Sequence, residues 1–179
     1  TEDVDCVIEV VTRREYYKLE AELEKLGFRH AIETGSPICR WKYHGLTADI
    51  MPTEGSILDF KSHWYPDGYS NSVTIPLPTG GEIRIFSLPY FLASKIEAFM
   101  DRGNEDFLAS PDMEDILTVL DGSENLKDEL SSAPVKVRRY LNNKFTEFMQ
   151  DDRFLESLEG NLHSAVRVER IKNVLSNLS

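Results

Sequence analysis

The chain lacks several features that would assign it to common classes of protein. No apolar run approaches the ~20 residues that a membrane helix needs, and no basic segment followed by an apolar one opens the sequence. Only two cysteines, Cys6 and Cys39, occur, too few for a disulfide scaffold or, with four scattered histidines, for a zinc motif. Their apolar neighbours predict two reduced thiols in the core. We therefore expect a cytoplasmic protein.

Positive charge is also scarce, with 20 Lys and Arg against 31 Asp and Glu and a formal net charge of -11. This balance argues against a protein that coats nucleic acid by bulk electrostatics, but it allows a local basic site. Hydrophobic residues at 41% and charged residues at 28% are typical of a folded globular protein. The length predicts one main domain with an extension.

Apolar periodicity divides the sequence into a β-rich part, residues 1–87, and a helical part, residues 88–179. Asp5 to Val11 predicts a central strand buried on both faces, followed by a helix from Thr12, its N-cap, to Gly27. Two hairpins are predicted further along, the first turning at Gly45.

The rest of the sequence is predicted to be irregular or helical. The segment from 52 to 71 predicts a loop with at most one helical turn, and helices are predicted over about 88–102, 111–120, 135–150 and 164–178. The fold class is therefore α+β, with a mixed β-sheet, flanking helices and a C-terminal helical region.

Three acids are candidates for chemistry. Asp3 and Asp5 stand one residue apart at the start of the first strand, so alternation places them on the same face. Asp49 stands between Ala48 and Ile50 on the return strand of the first hairpin, where an unpaired carboxylate would be costly. If the two strands are neighbours, three carboxylates converge and need a cation to stay ionised. Oxygen ligands suit Mg²⁺ or Mn²⁺.

Each of these features also has an interpretation without a bound metal. Asp3 is accounted for by a solvated side chain near the start of the sequence, and Asp49 by an edge position that faces water, which is the commoner environment of aspartate. Trp64 and Tyr65 could stack a base, but aromatic residues more often pack, and we favour the core.

The residues around these acids resemble a known family. TEDVDCVIEV resembles the Thr-x-Asp-x-Asp half of the signature of the nucleotidyltransferase superfamily, which has a polymerase-beta-like fold, and LTADIMP resembles that superfamily's third-acid strand. SLPYFLASKIEAFMDRGNEDFLASPDMEDI is similar to the Lys-x-x-Ala, Arg and Asp-x-x-Asp-Ile stretch of the AbiEii-type branch of abortive-infection toxins. The resemblance covers about residues 1–125.

This resemblance implies transfer of a nucleotide from an NTP to a hydroxyl of RNA, protein or a small molecule, with release of pyrophosphate. Asp3, Asp5 and Asp49 would hold two divalent ions, Mg²⁺ or Mn²⁺, and Asp49 would help to deprotonate the acceptor. The toxin branch also implies an antitoxin protein as a partner, and no membrane partner is expected.

The resemblance gives roles to four residues of the helical motif. Lys95 would direct a cation at the phosphates; the alternative is a surface lysine. Arg102, Asp112 and Asp115 match the family pattern around the nucleotide, and Asp115 could pair with Lys95 or Arg102 and order the site. Asp112 and Asp115 also fall in the first turns of a predicted helix, where acids are stabilised without any catalytic role.

One part of the family pattern is absent. The Gly-rich turn that precedes the acids in the family, and whose N–H groups bind the phosphates, does not occur before Asp3 in this sequence. We expect it upstream of Thr1 in the natural polypeptide. Without it, the protein would be a catalytically degenerate nucleotidyltransferase fold that acts as a protein-interaction module. A third alternative is an acidic cation-binding domain that takes no nucleotide.

Overall fold

A computed structural model describes residues 3–58, 63–102 and 106–178. The chain falls into two units, Thr1–Ser70 and Asn71–Ser179, and each is described by itself. The first contains a mixed sheet and the second is mainly helical, so the predicted α+β class is confirmed.

The Thr1–Ser70 unit is built around a four-stranded sheet in the order β1-β4-β3-β2. Strand β1 pairs parallel with β4, and the other neighbours are antiparallel. The elements, in chain order, are β1 (Asp3–Ile8), α1 (Arg13–Lys25), β2 (Arg29–His30), β3 (Arg40–Tyr43), β4 (Leu46–Pro52), a 3₁₀ turn (Gly55–Ile57) and α2 (Tyr65–Ser70).

Helix α1 covers one face of this sheet. It begins with a capping box, in which the Thr12 hydroxyl accepts from the Glu15 N–H and the Glu15 carboxylate accepts from the Thr12 N–H. The helix ends at Lys25, and Gly27 follows with a positive φ, so the predicted start and end of this helix are both confirmed. Beneath the helix lies a core of buried side chains, Leu23, Trp41 and Ile50, with the partly buried Ile8, Leu19, Phe28 and Ala48 packed around them.

Strand β1 differs from its prediction. Among the described strands it pairs only with β4, so it lies at an edge of the sheet. Val4 is 57% exposed and Cys6 is exposed as well. The prediction of a central strand buried on both faces is wrong, and so is the prediction of a core thiol at Cys6. Valine and isoleucine content signals a strand but not the number of its neighbours. Cys39 is buried, and both thiols are free.

The first hairpin has the predicted form. Its turn consists of His44 and Gly45, both with positive φ, and it pairs Tyr43 with Leu46. Farther on, the prediction of at most one helical turn between 52 and 71 is wrong, because the chain forms both a 3₁₀ turn and the six-residue helix α2. Residues 59–62 of that segment lie outside the described part.

The Asn71–Ser179 unit consists of a hairpin and six helices among the residues described. Its elements are β5 (Val73–Pro76), β6 (Glu82–Ile85), α3 (Leu88–Arg102), α4 (Pro111–Gly122), α5 (Leu126–Ser131), α6 (Val135–Phe148), α7 (Asp152–Leu162) and α8 (Ala165–Ser176). The helices bury apolar side chains, among them Leu92, Ile96, Phe99, Ile116, Leu120, Leu141, Phe145, Phe154 and Ile171. In the described part of the chain, no helix is long and apolar enough to cross a membrane.

Candidate functional site

The three candidate acids of the Thr1–Ser70 unit lie on one face of its sheet. The parallel register of β1 and β4 sets Asp5 opposite Asp49 and Asp3 opposite Thr47. Residues opposite one another in a sheet point to the same side, and so do residues two apart on one strand. The face that carries the acids is the reverse of the face that packs on α1, since Ala48 and Ile50 flank Asp49 and belong to that core. The condition for their convergence, that the two strands are neighbours, is therefore met.

A residue that the sequence analysis missed, Arg40, holds two of these acids together. Arg40 stands opposite Asp49 in the β3–β4 register. Its Nε donates to Asp49 Oδ1 at 2.8 Å and its Nη2 donates to Asp49 Oδ2 at 2.7 Å. The same Nη2 also donates to Asp3 Oδ2 at 2.9 Å. One guanidinium therefore bridges carboxylates from two strands that are far apart in the sequence.

The surroundings of this bridge favour a lasting ion pair over a solvated one. The side chain of Asp49 is 12% exposed and that of Arg40 is 29% exposed. The hydrogen bond with Asp49, followed by the charges of Asp49 and Asp3, raises the pKa of the Arg40 guanidinium above its already high ordinary value. The alternative in which Asp49 faces water is therefore wrong. Asp3 remains partly exposed, with 36% of its side chain accessible, but it is held by Arg40 rather than merely solvated.

The neighbouring positions extend the polar character of this face. Lys42 stands two residues after Arg40 on β3, opposite Thr47, and its Nζ donates to Thr47 Oγ1 at 3.1 Å. It also lies 4.0 Å from the Glu33 carboxylate. Two cations and three acids thus occupy adjacent positions on one side of the sheet.

Two further residues of this unit bear on the site. Burial, followed by the negative charge of Asp49, raises the pKa of the Cys39 thiol to about 11, so Cys39 is a poor candidate for a nucleophile. Trp64 is 6% exposed, which confirms the interpretation that it packs in the core. Tyr65 donates from its hydroxyl to the Met51 sulfur at 3.3 Å.

The donor set of the acidic face is compatible with a divalent cation. Asp3, Asp5 and Asp49 supply only hard oxygen ligands, and two of them already converge on one positively charged nitrogen. Within residues 3–58, 63–102 and 106–178, however, no three acidic, histidine or cysteine side chains are gathered as a metal-binding group. The side chains of Asp3 and Asp49 are directed at Arg40 instead.

The Asn71–Ser179 unit contains a second charged cluster, formed where α3 packs on α4. Lys95 Nζ lies 2.7 Å from Asp115 Oδ2 and 3.5 Å from Asp112 Oδ1. Arg102 donates from Nε and Nη2 to the two oxygens of Asp112, at 3.0 Å each. The predicted pairing of Asp115 with Lys95 is therefore confirmed, and Arg102 pairs with Asp112 instead.

The four side chains of this cluster differ in how far they are buried. The side chain of Asp112 is 3% exposed and that of Lys95 is 17% exposed, so the interpretation of Lys95 as a surface lysine is wrong. Asp115 and Arg102, at 50% and 69% exposed, lie at the rim. The cluster fixes the position of a largely buried ammonium group by two carboxylates and leaves no net charge among its four members.

Comparisons with known proteins did not assign the chain to a family. No protein-family model matches it, and no curated protein does.

Proposed function

We propose that this protein is a divalent-metal-dependent nucleotidyltransferase, which transfers a nucleotide from an NTP to a hydroxyl and releases pyrophosphate. The observation that carries the proposal is the parallel pairing of β1 with β4, which sets Asp5 opposite Asp49 and puts Asp3 on the same face. The sequence resemblance to the nucleotidyltransferase signature falls on the same three residues.

Asp3, Asp5 and Asp49 would hold Mg²⁺ or Mn²⁺. When bound, such ions would neutralise the charge of the triphosphate and lower the pKa of the acceptor hydroxyl. Asp49 is nearly enclosed and lies on a strand fixed by pairing on both sides, so its carboxylate is held in one position. In the proposed reaction it accepts the proton of the attacking hydroxyl.

The sequence resemblance alone proposes Lys95, which belongs to the Asn71–Ser179 unit, as a cation for the phosphates. An ammonium group carries a compact charge that suits phosphate oxygens, and Asp112 and Asp115 fix its place on α3. Arg102 neutralises the buried Asp112, which would otherwise compete for Lys95 at full charge. In this proposal Arg102, Asp112 and Asp115 act by positioning Lys95.

The acceptor and the partner are proposed from the resemblance alone. An RNA, a protein or a small molecule would supply the hydroxyl. An antitoxin protein would be the partner in a toxin like those of the abortive-infection branch. The net charge of -11 argues that an RNA acceptor would be bound at a restricted basic site rather than along the whole surface.

A second candidate function is an interaction module that keeps the fold without catalysis. The observation in its favour is the Arg40 bridge, because a guanidinium that satisfies Asp3 and Asp49 makes the acidic face stable without metal. An activity assay separates the two candidates.

The assay incubates the full-length protein with each α-³²P-labelled NTP, Mg²⁺ and acceptors of the three classes. We expect the wild type to label one class of acceptor and Asp5→Asn to label it at least about 100-fold less, the scale of a lost site for metal or transition-state charge. Glu22→Gln is the matched control, since it removes an exposed carboxylate on α1 that pairs with Lys25 across one turn. Equal labelling by the wild type and Asp5→Asn would refute the assignment, and no labelling by any form would favour the interaction module.

A further inference from the structure

The guanidinium of Arg40 occupies the point where two of the candidate metal ligands converge. Nη2 is the shared donor to Asp49 Oδ2 at 2.7 Å and to Asp3 Oδ2 at 2.9 Å. Mg²⁺ takes oxygen ligands at about 2.0–2.1 Å, so an ion held by Asp3 and Asp49 would need these oxygens at the point where the nitrogen and its hydrogens lie. The nitrogen and such an ion cannot both occupy that position.

Electrostatic repulsion also prevents the Arg40 guanidinium and a divalent ion from binding these oxygens together. Arg40 keeps its proton at any working pH, and the side chains of Arg40 and Asp49 are 29% and 12% exposed, so water screens them only in part. A divalent ion at these oxygens would be repelled by the guanidinium unless the latter moved away. Arg40 can move, because three side-chain dihedral angles separate its Nε from the backbone of β3.

We propose that Arg40 is an internal counter-ion for Asp3 and Asp49 that a divalent metal displaces, so that metal binding at this face is an exchange of one cation for another. This inference rests on the proposed function in placing metal at these acids. Arg40 is a positioning residue in this scheme. It keeps the two carboxylates together while metal is absent, and it determines the metal concentration at which the ion replaces the guanidinium at Asp3 and Asp49.

The exchange has two consequences for the site. Because Arg40 offsets the repulsion between Asp3 and Asp49, the acidic face is stable before metal arrives. Because the same hydrogen bonds must break when metal binds, the affinity for metal is lower than the carboxylates alone would give. A triphosphate that brings its own bound metal adds oxygens to the metal's ligand set and would favour the exchange.

The test measures binding of Mn²⁺ to the full-length protein without nucleotide, by the EPR signal of free Mn²⁺. We expect Arg40→Gln to bind Mn²⁺ at least about tenfold more tightly than the wild type, since a full positive charge has left the neighbourhood of the ion. Arg40→Lys keeps the charge but loses the two-pronged hydrogen bond, and its affinity should fall between the two. Lys42→Gln is the matched control because it removes the next cation on the same strand and face, and its affinity should stay within about twofold of the wild type.

A second measurement uses the wild-type protein and so does not depend on a variant that folds. Titration with Mg²⁺ is followed by the ¹H–¹⁵N signal of the Arg40 Nε group. We expect this signal to move to the position that it has in Asp49→Asn without metal, since both lack the bond from Nε to a carboxylate.

The inference is overturned if Arg40→Gln binds Mn²⁺ no more tightly than the wild type, if Lys42→Gln shows the same gain, if no form binds Mn²⁺, or if the Nε signal ignores Mg²⁺. Its failure is distinguishable from failure of the proposed function. Nucleotide transfer with an unchanged Mn²⁺ affinity would refute only the exchange, and tighter Mn²⁺ binding without any transfer would refute only the catalytic role.

Discussion

Replacing Asp112 by Asn should destabilise the helical unit strongly for a single isosteric change. Removal of one partner from a buried ion pair costs about 3–5 kcal/mol, because the remaining charge is left buried. In this cluster the loss is smaller, since Arg102 is 69% exposed and can turn to water, and Lys95 keeps its 2.7 Å contact with Asp115. We therefore expect a loss of about 2 kcal/mol in the free energy of unfolding.

The measurement is urea unfolding followed by circular dichroism at 222 nm, which reports mainly on helices α3 to α8. With a slope of about 2 kcal/mol per molar urea, the midpoint should fall by about 1 M. The control is Asp115→Asn, which removes a half-exposed carboxylate from the same lysine and should cost less than about 1 kcal/mol. A midpoint for Asp112→Asn equal to that of the wild type, or an equal loss in both variants, would refute the reasoning that burial sets the cost.

Two other predictions concern the Thr1–Ser70 unit. Thr12→Ala should cost about 1 kcal/mol in urea unfolding followed by tryptophan fluorescence, since it removes the side-chain cap of α1. The hydrogen bond from Thr12 lowers the pKa of Glu15 below its ordinary value, so the part of the stabilisation that this bond to the carboxylate contributes is full at neutral pH and is lost as pH falls through the folded-state pKa. The difference between wild type and variant should therefore shrink below about pH 4, and a constant difference would contradict the role of the Glu15 charge. Iodoacetamide at pH 8 should label Cys6 faster than Cys39 in the folded protein, because burial raises the pKa of both thiols, that of Cys39 to about 11, but only Cys6 is exposed; peptide mass spectrometry that finds both equally labelled would contradict the burial of Cys39.

Local rules predict which of the acids share a face and which strand carries Asp49, but they do not predict that the two strands pair. Alternation puts Asp3 and Asp5 on one face, and the two-residue turn places Asp49 on the return strand. The position of β1 at an edge is different, since the choice of neighbours in a sheet depends on contacts between distant segments. Valine and isoleucine report only that a strand forms there.

Arg40 could have been found by counting residues back from the turn. A turn of two residues pairs Tyr43 with Leu46, and the same register then pairs Arg40 with Asp49. Its bond to Asp3 could not have been found in this way, because it also requires the parallel alignment of β1 with β4. The choice of Lys95 rather than Arg102 as the partner of Asp115 depends on how α3 packs against α4, which periodicity alone leaves open.

The segment of helix α7 carries the apolar periodicity of a helix, although its charged composition is typical of a loop. Its segment is rich in charge and reads as a loop by composition, yet Phe154, Leu158 and Leu162 recur every four residues and are all buried. Periodicity over eleven residues predicts such a helix better than average polarity does, since an exposed face tolerates any number of charges.

The turn of His44 and Gly45 fixes more than the hairpin. Side chains alternate along β3, so one residue added to or removed from this turn would shift the strand by one position against β4 and carry Arg40 to the side that packs on α1. Trp41 would then face the acids, with no charge to offer them. The length of a turn that touches neither carboxylate thus determines whether they have a counter-ion, and insertions there should be tolerated only in pairs.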